Sequence, residues 1–335
     1  MTNPGLEGVV VADTAISEVD GERGRLVIAG ADVEQLAGAT SFEGAARRVL
    51  AAGGADPTAL GDAAFGAARS AAWEIVPRLG DALDHPDGMD ALRTALAHLR
   101  PPADDTAAAV AAIGAAACAI ALPLGALLAR GMIRGMAGML NLALDAYLVT
   151  VIDHAMCAST FTARVIASTA SDLISAVVGA VGALKGPLHG GAPGPVLDML
   201  DAIGAPDHAE PWLLGELAAG RRIMGMGHRV YRVRDPRAAV LEEAVRPLAS
   251  PRLALARGVE RAAAKILHER KPERSLAANV EFYTAVLLDA VGLPREQFSA
   301  TFAVSRIAGW SAHVLEQRRT GRLIRPASHY IGAMP

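Results

Sequence analysis

Between Thr106 and Ala129 the chain carries no charged side chain, and few folds can accommodate such a stretch. It is long enough to cross a bilayer; otherwise other protein must cover it. Alanine dominates the stretch, interrupted by Gly114, Pro123 and Gly125, and the Leu, Ile and Phe residues that drive membrane insertion are sparse. The next stretch, Gly131 to Val151, is also apolar but holds Arg134 and Asp145. Small side chains let helix backbones approach closely. The expectation is therefore no membrane span but helices packed inside a soluble dimer, with this stretch a candidate subunit interface. Hydrophobic residues at 52% and charged residues at 20% make the chain globular rather than disordered. Its 335 residues suffice for one large core or two domains.

The remaining pattern is also helical. Apolar periodicity predicts helices at Ser41–Ala52, Asp62–Val76, Asp90–Leu99, Thr106–Leu128, Arg130–Ile152 and Ser159–Leu184. It predicts further ones at Pro195–Ile203, Trp212–Ala219, Pro236–Arg246, Pro251–Arg270, Leu276–Val291 and Ser299–Arg318. Breaks fall at Gly53-Gly54, Pro101-Pro102, Gly190-Gly191, Pro247, Pro251 and Pro294. Near the start, apolar residues from Val9 to Val19 and the run Arg25–Ile28 flank Asp20-Gly-Glu-Arg-Gly24, which reads as a β-hairpin. A mostly all-α fold follows, without the strand–helix alternation of a dinucleotide fold. Gly225-Met226-Gly227 begins like a phosphate-binding Gly-x-Gly-x-x-Gly, but Val230 stands where the third glycine belongs.

A net charge of -3 argues against a nucleic-acid partner, which needs a strong basic excess. Cys118 and Cys157 make no disulfide framework and have no zinc-ligand spacing, so no metal site is expected. The first residues lack the basic start and apolar stretch of a signal peptide. A cytoplasmic protein is the expectation.

Chemistry concentrates in three places. The run Gly225-Met-Gly-His-Arg-Val-Tyr231 is followed by Asp235-Pro236-Arg237, so His228 and the arginines 229, 232, 234 and 237 lie close to a helix start. Asp235 fits an N-cap and Pro236 the first helical position, where backbone N–H groups favour an anion. The run reads either as a small polyanion site or as a capped surface helix with solvated arginines. His189 precedes two glycines and a helix beginning near Pro193 to Pro195. Beside a helix N-terminus it could donate to a carbonyl oxygen that gains charge, or it could simply pack at a turn. Glu281 lies in an apolar run with Ala277, Ala278, Thr284 and Ala285 as its helical neighbours and no local cation. It reads as a buried carboxylate fit to be a general base, or as a glutamate reaching solvent at a helix edge.

Taken together, these segments resemble the citrate synthase family, in which the runs around His189 and His228 each carry a catalytic histidine. The resemblance covers nearly the whole chain. Gly5-Leu-Glu-Gly8, Thr14-Ala-Ile16, Asp20-Gly21 and Gly24-Arg25-Leu26 look like the family's N-terminal hairpin. Asp153-His154, Ala158-Ser-Thr-Phe161 and Arg164-Val165 look like the segment supplying a substrate-binding histidine. Ser305-Arg306 and Arg325-Pro326 look like two carboxylate-binding arginines.

The resemblance implies a two-domain helical fold: a large domain of residues 1–190 plus 294–335 and a small one of 191–293, closing over a cleft. It implies condensation of acetyl-CoA with oxaloacetate, then thioester hydrolysis to citrate and CoA. The alternatives it leaves are 2-methylcitrate synthesis from propionyl-CoA, or a non-catalytic relative with the same fold. Glu281 would take a proton from the acetyl methyl group, His189 would stabilise the enol through the thioester oxygen, and His228 would polarise the ketone of oxaloacetate. His154, Arg237, Arg306 and Arg325 would hold oxaloacetate, Arg325 acting across a homodimer. Arg222, Ile223, Met224, Gly225, Gly227 and Arg232 would be candidates for the CoA nucleotide. No cofactor is implied.

The chain also departs from that pattern. Asn279-Val280 is followed by Glu281 rather than aspartate, Pro193-Gly194 replaces Asn-Glu, and Ala155 replaces the glutamate after His154. Ile28-Ala29-Gly30 stands where the family's hairpin reads Tyr-Arg-Gly. The chain is also shorter than typical members, most visibly between Leu79 and Asp153.

Overall fold

The turn Asp20-Gly-Glu-Arg-Gly24 reverses the chain. The computed structural model, which describes residues 5–6, 8–129, 137–190, 193–274 and 276–333, builds a small antiparallel sheet on it. β1 (Ser17–Asp20) pairs with β2 (Arg25–Ile28), Ser17 opposite Ile28, and β2 pairs with β3 (Ala31–Asp32). The expected first arm, Val9 to Val19, is therefore paired only from Ser17 onward. β2 stops at Ala29 and Gly30, where φ is +46° and +82°, and the last backbone bond to the first arm is Ala29 N donating to Ile16 O at 2.7 Å.

Helices make up the rest. The first group is α1 (Val33–Leu36), α2 (Phe42–Gly53), α3 (Asp62–Ile75), α4 (Gly88–Ala97), α5 (Asp105–Ala129), α6 (Ala137–Thr150), α7 (Ala158–Ser168) and α8 (Leu173–Lys185). The second is α9 (Pro193–Ile203), α10 (Ala209–Ala218), α11 (Pro236–Val245), α12 (Pro251–Arg270), α13 (Val280–Ala290) and α14 (Phe298–Thr320). Two expected helices change. Ser159–Leu184 divides into α7 and α8, because Ala170 takes φ +65° and the Asp172 carboxylate accepts from Ser175 N at 2.9 Å as a fresh N-cap. Leu276–Val291 starts only at Val280, with the Asn279 side chain accepting from Glu281 N at 3.0 Å. The start of the expected helix Arg130–Ile152, residues 130–136, lies outside the described residues.

α14 is the central helix, packed against α2, α5, α7 and α8. Almost every residue from Phe298 to Gln317 is buried, so it has no polar stripe. The first half of α5 is consumed within the chain: Ala108, Ala109, Ala112 and Ala116 are buried. A Cβ on Gly114 would meet the backbone of Ala68 in α3 at 2.7 Å. For that half, small residues serve a close intrachain crossing rather than the expected subunit interface. Among the described residues no helix is long and apolar enough to cross a membrane.

A buried ionic network ties the hairpin to α7 and α14. Arg164 bonds Glu316, Gln317 Oε1 at 2.9 Å and His313 Nδ1 at 3.1 Å. His313 Nε2 reaches Asp153 Oδ2 at 3.3 Å, and that carboxylate accepts from Ser17 Oγ at 2.5 Å and Ala155 N at 3.0 Å. Removing one member would strand a buried charge, at about 3–5 kcal/mol. The network fixes the loop that carries His154.

Candidate active site

Two loops deliver His228 and Glu281 to the same place. Met226 and Ala278 form an isolated antiparallel bridge. Around it Gly227 N donates to Ala277 O at 2.7 Å, Asn279 N to Gly225 O at 2.9 Å and Asn279 Nδ2 to Gly227 O at 2.8 Å. Gly225 sits at φ +71°, and a Cβ there would meet Phe282 Cδ2 at 2.9 Å. These glycines therefore let the backbone approach a neighbouring segment rather than a ligand. Asp235 locks the same corner: its carboxylate accepts from Arg237 N and Nε at 3.0 Å, Arg237 Nη2 at 2.8 Å and Val280 N at 3.1 Å. One carboxylate thus caps both α11 and α13. The hairpin turn supports the loop from the other side, with Arg232 N donating to Gly21 O at 2.8 Å.

His154, His228 and Tyr231 form a ring cluster. The two imidazole centroids lie 5.5 Å apart, His228 and Tyr231 4.8 Å, and the Arg237 guanidinium stands 5.7 Å above the Tyr231 ring. His154 Nε2 and the Tyr231 hydroxyl are 3.3 Å apart. His228 Nδ1 accepts from Val230 N at 3.0 Å and Tyr231 N at 3.1 Å, so a neutral ring carries its proton on Nε2. Burial, then Arg237, pushes His228 down to about 4, which keeps it neutral near pH 7. His154 is driven well below its ordinary value by burial, with Arg237 and Arg306 adding to it.

His189 is anchored by the wrong helix for the expectation drawn from sequence. Its Nε2 accepts from Ser159 N at 3.3 Å and lies 2.9 Å from Ser159 Oγ. Among the described residues its hydrogen bonds are to the first turn of α7 rather than to the helix after Pro193. Trp310 Nε1 donates to the same Ser159 Oγ at 3.1 Å. With Nε2 engaged, the neutral ring has its N–H on Nδ1.

Glu281 sits in the first turn of α13, half-buried. Burial pushes its carboxyl up to about 7, against the pull of Arg237 and His189. Arg306 is buried in α14, its Nε donating to Val151 O at 2.9 Å and its Nη1 to Cys157 Sγ at 3.3 Å. It too acts on the charges of His154 and Glu281. His154, His189, His228, Arg237, Arg306 and Glu281 are therefore brought together. A group of imidazoles, two guanidiniums and a carboxyl raised to about 7 can bind a small dicarboxylate and abstract a proton beside it.

The other candidates lie elsewhere. Arg325 is exposed on the arm beyond α14, whose Ile324 N donates to Ser168 Oγ at 3.1 Å at the far end of α7 from Ser159. Within this chain it is outside the cluster. Arg222 and Arg232 are exposed, Met224 is half-buried and Ile223 buried, while Gly225 and Gly227 are occupied by the bridge. Arg229 is exposed, and Arg234 pairs with Glu242 and Glu260, both at 2.7 Å. Of the four arginines near His228, then, Arg234 is structural.

Three residues were not singled out from sequence. Tyr231 stands in the His228 motif without an assigned part, although an aromatic three residues after a candidate histidine is a usable signal. Ser159 reads as an ordinary helix-start serine. Cys157 read only as one of two cysteines. Burial would raise its thiol, but Arg306 and His189 bring it down to about 5.

The family model described as "Citrate synthase, C-terminal domain" matches residues 5–327. "Putative citrate synthase 2" of Mycobacterium bovis is 51% identical over 193 residues, a match spanning 58% of this chain and only 52% of that protein, about half its length. The citrate synthase of Deinococcus radiodurans is 36% identical over 98% of this chain and 95% of its own length. A 2-methylcitrate synthase of Mycobacterium tuberculosis is 34% identical over 98% and 90%. The crystal structure of citrate synthase from Thermotoga maritima superposes with a TM-score of 0.82 at 32% identity, covering 100% of this chain and 97% of that one.

Proposed function

The chain belongs to the citrate synthase family, and on that premise we propose that it condenses acetyl-CoA with oxaloacetate and hydrolyses the thioester to citrate and CoA. The observation that carries this reading is Glu281, brought to about 7 by burial beside two histidines whose free ring N–H groups are fixed by their own partners. Glu281 takes a proton from the acetyl methyl group while His189 Nδ1–H donates to the thioester oxygen. His228 Nε2–H donates to the ketone oxygen as the carbon–carbon bond forms. Arg237 keeps Nη1 for a carboxylate, since Asp235 takes Nε and Nη2. Arg306 offers Nη2, and His154 completes the oxaloacetate site. Exposed Arg222 and Arg232 suit the phosphates of CoA. None of these steps calls for a metal or redox cofactor.

The reading extends to a homodimer in which Arg325 serves the partner's site, to a division into residues 1–190 plus 294–335 and 191–293, and to the cytoplasm, where acyl-CoA is met. Support for the dimer is the exposed arm holding Arg325. The 2-methylcitrate synthase relative favours a second reading, propionyl-CoA as acyl donor, because one extra methylene is discriminated by only about 1–3 kcal/mol. Steady-state CoA release from each acyl-CoA with oxaloacetate, with the product identified by mass, separates the two. Citrate formation with the higher kcat/KM supports the main reading, 2-methylcitrate the second, and no product from either would refute both.

A further inference from the structure

Of the rings in the cluster, Tyr231 takes no part in the proposed chemistry, yet it touches both of the others. It is 1% exposed. Its backbone N–H donates to His228 Nδ1 at 3.1 Å, and its hydroxyl lies 3.3 Å from His154 Nε2. The His154 and Tyr231 rings meet edge on, their centroids 5.7 Å apart. Both residues are mounted on the N-terminal hairpin. At its base Ser17 Oγ donates to Asp153 Oδ2 at 2.5 Å and accepts from Ala155 N at 2.8 Å, on either side of His154. At its turn Arg232 N donates to Gly21 O at 2.8 Å, and a Cβ on Gly21 would overlap Val230 O, on either side of Tyr231. One small sheet therefore sets the spacing between the phenol and the imidazole.

The direction of the hydrogen bond follows from what each partner can offer. Burial raises the Tyr231 phenol above its ordinary value, so it keeps its proton. Burial, then Arg237 and Arg306, drive His154 well below its own. That ring is therefore neutral, with one N–H and one acceptor nitrogen. Among the described residues the hydroxyl has no hydrogen-bond partner besides this ring, and the ring none besides the hydroxyl. Were His154 Nε2–H the donor, the buried phenol proton would be left without an acceptor, which is costly. With the phenol as donor, Nε2 is satisfied and the ring's own proton stands on Nδ1. We infer that Tyr231 is a positioning residue for oxaloacetate: its O–H donates to His154 Nε2 and holds the imidazole in the tautomer whose Nδ1–H donates to a substrate oxygen. The inference rests on His154 as an oxaloacetate ligand. The same residue fixes His228 through the main chain, so that tautomer does not depend on the phenol.

Nitrogen NMR of protein carrying isotope-labelled histidine, at neutral pH and with the His154 signals assigned through His154→Gln, reads the tautomer without turnover. The wild type should show a protonated Nδ1 and an unprotonated, hydrogen-bonded Nε2 at His154. Tyr231→Phe keeps the ring and removes only the hydroxyl. Its His154 signals should move to those of exchanging tautomers, while those of His228 stay in place. His154 holds substrate alike in ground and transition state. Kd by calorimetry and KM for oxaloacetate should therefore both rise about fivefold to tenfold, with kcat changed less than about twofold. The wild-type spectrum remains readable if the phenylalanine variant misfolds, and a proton on Nε2 in it overturns the inference. A His154 tautomer that Tyr231→Phe leaves unmoved overturns it equally, as does unchanged oxaloacetate affinity in a variant whose tautomer has moved. The expected tautomer and affinity change in a protein that turns over no acyl-CoA would support the inference while refuting the proposed activity.

Discussion

Glu281 combines a carboxyl raised to about 7 with a side chain one methylene longer than the aspartate that the family resemblance leads one to expect. Two consequences follow from the raised value. The base must be ionised, so kcat/KM should fall about tenfold per unit as pH drops below about 7; His228, at about 4, contributes nothing to that limb. The folded carboxyl keeps its proton up to about 7 whereas its ordinary value is 4.5. The folded state therefore binds more protons in that window, and stability is lost as pH rises through it. Glu281→Gln should raise Tm at pH 8 by roughly a few degrees and leave Tm at pH 4 unchanged; equal shifts at both pH values would contradict the assigned burial. Reach is tested by Glu281→Asp. If the site has adapted to the longer side chain, a retreat of about 1 Å lowers turnover by up to about 100-fold, and a gain of activity would mark the native residue as the handicap.

At the scale of elements, the pairing of Gly225–Gly227 with Ala277–Asn279 holds together the two segments that lead to His228 and Glu281. Gly225→Ala forces a left-handed φ on a residue with a Cβ and presses that Cβ to 2.9 Å from Phe282. The expected loss is about 1–3 kcal/mol in denaturant unfolding, with kcat reduced as His228 shifts; a variant as stable and active as wild type would show that the bridge is dispensable. The sequence displayed most helices, because their apolar period is local. It displayed the motif histidines because glycine and proline punctuate them. The break at Ala170 was invisible, since a non-glycine residue with positive φ leaves no mark in composition. The late start of α13 was hidden for a different reason: Leu276 to Ala278 are good helix formers, and only their pairing with a distant loop keeps them extended. Ser159 was hidden in a helix-start pattern, because its partners His189 and Trp310 come from distant parts of the chain.

For the whole molecule, the arm after α14 decides whether one chain is sufficient. Arg325 lies outside the cluster of its own chain, so on the dimer reading His189→Ala and Arg325→Ala chains, each inactive, should complement. Random reassembly leaves about one quarter of all sites intact. A mixture as inactive as its parents, with subunit exchange proven, would end the trans assignment. The order of motifs along the chain was legible without coordinates, and so was the family. The way Asp235, Ser159 and the buried Asp153–His313–Arg164 network orient those motifs was not, because each joins segments far apart in sequence. On the proposed function, this cluster removes a proton from an acyl-CoA through Glu281. The most direct test of that step is CoA release from acetyl-CoA at pH 8 with saturating oxaloacetate, wild type against Glu281→Gln. Rapid release by the wild type, strictly dependent on oxaloacetate and lowered by orders of magnitude in the variant, is the predicted result; near-equal rates in the two proteins would contradict the account.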